Sequence, residues 1–247
     1  MKKVLITGAS EGIGRALARK FAFSGFEVTA IARNEDRLLD LINEIGKEHH
    51  YLVVDLTKEN DLKKVIHLIR HTHFDVLINN AGFGIYGAFT TIPLEKHLEL
   101  LDLNCKTLLT LSHIFLSNSK PGDALVNISS VVSFASWPYS PVYAASKAFV
   151  TSLTESLWYE FRSKGVYVLT LCPGATNTKF HSRAGGKKDT QLTWTQNPED
   201  VAETVWAALI KRKDPTVISG WFNKVFIFSL RFLPRKLTIV LMDRISK

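Results

Sequence analysis

Cysteine is scarce in this chain of 247 residues. Cys105 and Cys172 are the only two, and they form neither a CxxC pair nor any metal-ligand spacing. No disulfide framework or thiolate metal centre is expected, and a reducing, cytoplasmic setting is the plain reading. Long apolar runs are missing too. Val4-Leu5-Ile6 follows the basic Met1-Lys2-Lys3 but ends at once in Thr7-Gly8, against the roughly 7–15 apolar residues of a secretory signal. The stretch 225–233 is interrupted by Ser229 and Arg231, and it falls short of the about 20 residues that span a bilayer. Repeats, low-complexity tracts and Pro/Gly/Ser linkers are absent, so a single domain over 1–247 is expected. Acids are nearly lacking at the C-terminal end. From position 211 onward nine Lys and Arg meet only Asp214 and Asp243, so almost all of the net charge of +8 sits there.

What is present is enough for one sizeable core, with 46% hydrophobic residues and 22% charged. Short apolar runs alternate with amphipathic ones. Strands are predicted at 3–6, 27–32, 51–54, 76–79, 124–129, 166–171 and 216–219. Helices are predicted at 13–23, 35–45, 62–69, 98–116, 142–162 and 198–210. In the second helix Leu38, Leu41, Ile42 and Ile45 recur at spacings of three and four. The strands lack clean alternation, as expected when helices cover both faces of a parallel sheet. The predicted fold is therefore α/β: a doubly wound, Rossmann-type parallel sheet of about seven strands with helices on both faces.

Three motifs carry chemistry. Thr7-Gly8-Ala9-Ser10-Glu11-Gly12-Ile13-Gly14 lies between the first strand and the first helix. A dinucleotide pyrophosphate needs close backbone approach and N–H donors at a helix start, and side chains at those glycines would block it. The bland alternative is a glycine-rich turn that only joins strand to helix. The second strand ends Ala32-Arg33 where an acid would bind the ribose 2′-OH of NAD. Arg33 suits the 2′-phosphate of NADP, or it is a solvated side chain at a helix start. Glu11 in the phosphate loop opposes an extra phosphate, which leaves NAD as the other candidate. Third, Tyr143 and Lys147 stand four apart on one helix face. A phenol with a pKa near 10 is a poor acid-base group unless tuned, and an ammonium one turn away favours its phenolate. An ordinary exposed Tyr/Lys pair reads the same way.

Taken together, these motifs resemble the short-chain dehydrogenase/reductase family over nearly the whole chain. The order and spacing match: residues 7–14 near the start, Asn79-Asn80-Ala81-Gly82 after the fourth strand, Ser130 thirteen residues before Tyr143, then Lys147, then Pro173-Gly174. The resemblance implies an NADP(H)-dependent oxidoreductase that moves a hydride between nicotinamide and a carbonyl or alcohol carbon. It implies Tyr143 as the acid-base group and Ser130 as the hydroxyl that polarises the carbonyl oxygen, with Ser129 the alternative by one register. It implies Lys147 as the residue that binds ribose and lowers the Tyr143 pKa, and Asn104 as the holder of a relay water, or else a buried asparagine with satisfied bonds. Cofactor contacts carried over in the same way are Gly8, Ser10, Glu11, Gly12, Ile13, Gly14, Arg33, Asp55, Leu56, Asn79, Ala81, Gly82, Tyr143, Lys147, Pro173, Gly174, Thr176 and Thr178. A homodimer or homotetramer is implied as well. The rival of another class is a non-catalytic dinucleotide sensor or scaffold on the same fold.

Residues 178–197 form a long polar segment, expected as a substrate lid. Phe83, Ile85, Tyr86, Phe134, Trp137 and Phe180 are expected to face an apolar substrate, or simply to pack together. Residues 221–247 form a basic aromatic extension. It fits an interfacial helix pair in peripheral contact with anionic membrane, a subunit contact, or a wall of the substrate site. His67, His71 and His73 offer an i, i+4 pair without further ligands, and no metal is expected. The tail carries no nucleic-acid-binding motif, and no nucleic acid is expected as a partner.

Overall fold

The strand-forming runs all enter one sheet. A computed structural model describes residues 1–185 and 195–246. Its seven strands are β1 Lys3–Thr7, β2 Glu27–Ala32, β3 His50–Val53, β4 Val76–Asn79, β5 Ala124–Ile128, β6 Tyr167–Cys172 and β7 Thr216–Ile218. All pairings are parallel, in the order β3-β2-β1-β4-β5-β6-β7. The chain winds one way from β1 to β3, crosses back to β4 beside β1, and continues the other way. The crevice at this reversal, outside the carboxyl ends of β1 and β4, is where such sheets place ligands.

Helices α1 Gly12–Phe23, α2 Glu35–Ile45, α3 Glu59–His71, α4 Leu94–Leu101, α5 Leu108–Ser117 and α6 Pro141–Phe161 precede a short α7, Phe180–Arg183. Then come α8 Pro198–Lys211, α9 Trp221–Leu230 and α10 Arg235–Ser246. Strand alternation divides the core. Val4 and Ile6 of β1 face α1, α2 and α8, while Leu5 between them faces α3 and α5. Both faces of the central strands are thus apolar, which is why their sequence shows no alternation. Helix starts follow the expected chemistry. Asn34 caps α2 through a bond from Arg37 N–H, and Asn197 and Asp200 form a capping box at α8.

The predicted boundaries move by a few residues at most of the sheet elements and at α3, which begins three residues earlier than expected. The helix predicted over 98–116 differs more. It begins at Leu94 and is interrupted by a π-helical turn at Asp102–Thr107. Such wide turns cluster at functional sites. Among the described residues no helix is long and apolar enough to cross a membrane.

Phe21 is fully buried where α1 meets α8, edge-on to Phe26 and Trp206 at centroid separations of 5.1 and 5.4 Å. Phe21→Ala is expected to lower the free energy of unfolding by about 3–5 kcal/mol, read as a lower urea midpoint. A loss under about 1 kcal/mol would remove this contact from the core.

Candidate active site

The glycine loop closes the crevice on the β1 side. Gly8 has φ of +66°, and a Cβ there would lie 2.9 Å from Ala81 Cα. A Cβ on Gly14 would run into the Gly8 carbonyl. Glycine is therefore required at both, and α1 starts hard against the loop. Its N-cap residue Glu11 makes no side-chain cap bond, which leaves the first N–H groups and the positive helix end for an anion. The Glu11 carboxylate instead pairs with Arg37 of α2 and Arg183 of α7. The acid that seemed to oppose a phosphate is thus neutralised. Beside it lies a cleft of about 350 Å³, lined by Ser10, Gly12, Arg15, Arg37, Thr178 and Lys179 among others. Arg33 is exposed at the end of β2. Arg37, one helical turn further on, was not singled out from the sequence, though its i+4 spacing from Arg33 was a usable signal.

Ala81 and Thr178 lie against the loop: Ala81 N–H donates to Thr7 Oγ1 (3.0 Å), and a Cβ on Gly12 would touch Thr178. Ile13 is the second residue of α1, and Gly82 faces Asn104 and Lys147. Asp55 holds the turn after β3, accepting from the N–H and O–H of Thr57 (3.0 and 2.7 Å), and the Leu56 carbonyl accepts from Thr107 of the π turn. The Pro173 carbonyl accepts from Val131 N–H, and Thr176 donates to the Gly174 carbonyl. Gly174 has the Asn223 side chain of α9 directly against it, so the C-terminal extension reaches this wall. Asn79 differs from expectation. Its side chain turns away from the loop and donates to Ser112 Oγ (3.0 Å) and Asn127 Oδ1 (2.9 Å) in the sheet interior. Strand alternation is the reason: Asn79 follows Leu77 onto the α5 face. Asn80 takes the place at the loop, donating to the Thr7 and Gly8 carbonyls.

Across the crevice, α6 carries the acid-base pair. Tyr143 and Lys147 are buried on its inner face, with the Lys147 Nζ 5.8 Å from the Tyr143 ring centroid. Asn127 of β5 donates to Thr154 (2.9 Å) and anchors this helix on the sheet. Ser130 lies beside the Tyr143 phenol and favours its ionised form, and its hydroxyl accepts from Val132 N–H. Ser129 faces elsewhere, donating to the Lys147 carbonyl and bonded to Thr151. Of the two serines, Ser130 is the one beside the phenol. Asn104, in the π turn, donates to the Phe83 carbonyl and to Ser146 Oγ and accepts from Phe83 N–H. A Cβ on Gly82 would meet Asn104 Oδ1 at 2.9 Å. Ser146, on α6 between Tyr143 and Lys147, was overlooked in the sequence.

Electrostatics here is set by burial. Burial pushes the Tyr143 phenol well above its ordinary value; nearby Tyr86 adds to this, and Ser130 pulls back part of the way. Burial lowers the Lys147 ammonium to about 8. Burial thus governs the phenol, while Lys147 Nζ donates to the Ile128 carbonyl at 2.8 Å.

Over the phenol lies an apolar cover. Phe83, Ile85, Trp137 and Phe180 pack with Tyr143, the Phe180 ring 5.5 Å away. Phe134 belongs instead to the cluster under the C-terminal helices, and Tyr86 stacks on His181. The ends of the expected lid are joined, Asn177 N–H to the Gln196 carbonyl and Gln196 N–H to the Ala175 carbonyl. Residues 186–194 of that segment lie outside the described residues. His67 and His71 stack on each other, whereas His73 sits with Asp75 and Asp123 at the amino edge of the sheet, all within 4.8 Å. There the Asp75 and Asp123 carboxylates already take the N–H groups of Lys3 and Lys120.

Residues 2–189 match the family model of short chain dehydrogenases. Sulfoacetaldehyde reductase 2 of Chromohalobacter salexigens is 34% identical over 219 residues, which cover 82% of this chain and 86% of that protein. The structure of a short-chain dehydrogenase from Sphingobium yanoikuyae in complex with NADPH superposes with a TM-score of 0.83 at 30% identity, covering 95% and 96% of the two chains. A 7beta-hydroxysteroid dehydrogenase structure gives 0.86 at 27% identity, covering 98% and 96%.

The lowered Lys147 value has a stability consequence. Below about pH 8 the lysine is charged in both folded and unfolded chains, and burying the charge costs about 1.4 kcal/mol per unit of the shift. Above that pH the folded chain sheds the proton first, so stability rises until the unfolded lysine titrates near 10.5. Lys147→Met should therefore be more stable than the parent below pH 8, with the gap closing between pH 8 and 10 in urea titrations. A gap that is constant with pH would refute the buried-charge account.

Proposed function

The chain belongs to the short-chain dehydrogenase/reductase family, and from that premise we propose an NADP(H)-dependent enzyme that interconverts an apolar carbonyl and its alcohol. That it is an oxidoreductase follows from the family; the cofactor form, the substrate class and the residue roles are the proposal. The observation that carries it is the buried Tyr143 phenol, with Ser130 beside it and Lys147 one helical turn away. A non-catalytic sensor has no use for such a group.

The crevice fits the dinucleotide. Glycine at positions 8 and 14 lets the loop close tightly on Ala81 and on itself, and the uncapped start of α1 offers N–H donors. Gly8, Ser10, Glu11, Gly12, Ile13 and Gly14 would line the pyrophosphate, with Asp55, Leu56, Ala81 and Gly82 along the adenosine side. Pro173, Gly174, Thr176 and Thr178 would line the nicotinamide side, while Arg33 and Arg37 would take the 2′-phosphate. Glu11 does not oppose that phosphate, since Arg37 and Arg183 offset its charge. The NADPH complex of the Sphingobium relative supports the same choice. When bound, the nicotinamide supplies or accepts the hydride.

The chain's own groups manage the proton. Tyr143 stays a neutral phenol through the ordinary pH range because burial raises it. Its Oη proton is thus ready for the carbonyl oxygen as that oxygen gains charge, which is the protonation state reduction needs. Ser130 donates to the same oxygen and stabilises the developing alkoxide. Lys147, charged below about pH 8, resupplies the phenol side. Asn104 ends the relay and, through Phe83 and Ser146, holds its geometry.

The cover of Phe83, Ile85, Trp137 and Phe180 over Tyr143 favours an apolar substrate. The relatives' names alone do not choose, since they include a sulfonated aldehyde and a steroid. The enzyme works in the cytoplasm as a homo-oligomer, with 178–197 as lid and 221–247 in peripheral contact with membrane. An apolar groove of about 440 Å³ between the π turn and α6, with Leu101, Leu109 and Phe149 exposed along it, supports a subunit contact.

NADPH oxidation is expected with apolar ketones in preference to sugars. Tyr143→Phe should lower kcat by about 100- to 10,000-fold while NADPH fluorescence titration stays unchanged; undiminished turnover would end the reading. Arg33→Ala with Arg37→Ala should raise KM for NADPH about tenfold or more and leave KM for NADH nearly unaltered. Equal effects on both cofactors would remove the 2′-phosphate assignment.

A further inference from the structure

The C-terminal helices have an inner and an outer side. Inward, Ile227 and Leu230 of α9 and Met242 of α10 are buried against Val131, Phe134 and Ile218. Outward, Trp221, Val225, Phe228 and Phe232 recur at spacings of four, three and four. They form one stripe along α9 and the turn after it. They are 75, 56, 59 and 73% exposed. Four large apolar side chains in line facing water mark a surface made for something else. Lys224 and Arg231 flank the stripe seven residues apart, and Arg235 and Lys236 follow at the start of α10, all exposed. There is no acid in α9.

We propose that this stripe docks on a bilayer bearing anionic phospholipid headgroups. In this arrangement α9 lies in the interfacial plane, its Trp and Phe rings at the headgroup–acyl boundary and its cations on lipid phosphates. The assignment rests on the peripheral contact proposed for residues 221–247 and gives it a face and a lipid chemistry. Charge decides between lipid and a second copy of the chain. Two copies meeting through this face would bring Lys224 and Arg231 against their own duplicates with no acid of α9 to answer them. An anionic surface answers every one of them.

The docked face adjoins the site. On its inner side α9 covers the 3₁₀ turn Val131–Phe134, which begins immediately after Ser130. Trp137 belongs both to the cluster beneath the C-terminal helices and to the one over Tyr143. Docking therefore brings the apolar cover of the phenol toward the interface, where an apolar carbonyl is concentrated.

The test uses the full chain with vesicles of phosphatidylcholine alone, or of phosphatidylcholine and phosphatidylglycerol in equal parts. Two double variants alter outward side chains only: Trp221→Ser with Phe228→Ser, and Lys224→Gln with Arg231→Gln. Co-sedimentation should show the parent binding the anionic vesicles at least about tenfold more tightly than the neutral ones, and less so in high salt. Each double variant should lose about tenfold or more, while turnover of a water-soluble ketone without vesicles stays as in the parent. Anionic binding that survives both variants would overturn the stripe and leave the peripheral contact standing. No binding by the parent would remove both. A parent that ignores vesicles, together with a Ser variant that loses oligomer mass in light scattering, would reassign the face to a subunit contact. None of these outcomes touches the catalytic reading, which is measured without lipid.

Discussion

The hydroxyl of Thr7 holds the ends of β1 and β4 together, and the site is built outward from that junction. Thr7 Oγ1 donates to the Ile78 carbonyl at 3.4 Å and accepts the N–H groups of Asn80 and Ala81, both at 3.0 Å. Asn80 returns two bonds to the Thr7 and Gly8 carbonyls. Here the sheet order reverses, so the two chains must diverge, and without these bonds the crevice would have no fixed width. From the junction the backbone runs through Gly82 to Phe83, which is clasped by Asn104. Asn104 in turn reaches Ser146 on α6, whose hydroxyl donates to the Tyr143 carbonyl. One hydrogen-bonded path thus joins the glycine loop to the helix bearing the phenol. Spacing between the proposed cofactor and the proposed acid is set by packed, satisfied polar groups rather than by a loose loop.

Much of this was legible in the sequence, and the parts that were not have identifiable causes. Strands buried on both faces announce themselves as unbroken apolar runs, and the spacing of Leu38, Leu41, Ile42 and Ile45 marks α2. The π turn at Asp102–Thr107 left no such mark. Composition reports which residues favour a helix, not whether a bond reaches four or five residues back. Asn79 and Asn80 look interchangeable in a motif. Alternation along β4 separates them, sending Asn79 to Ser112 and Asn127 and leaving Asn80 at the loop. Glu11 shows a different limit. A charge read alone in a loop looked hostile to phosphate, while its partners, Arg37 and Arg183, lie 26 and 172 residues away.

The electrostatics of Tyr143 and Lys147 links the proposed substrate class to the proposed chemistry. Burial acts on both groups and in opposite senses, raising the phenol and lowering the ammonium, so both are driven toward their neutral forms. On the Tyr143 side, Phe83, Ile85, Trp137 and Phe180 pack into the same apolar cluster as the phenol. An apolar substrate would seat against this cover and keep water out. A polar substrate that carried water in would weaken the desolvation that keeps the Tyr143 proton in place. Specificity and protonation state are then two readings of one apolar surface. A substitution that opens that surface should alter the pH behaviour of the phenol along with the choice of substrate.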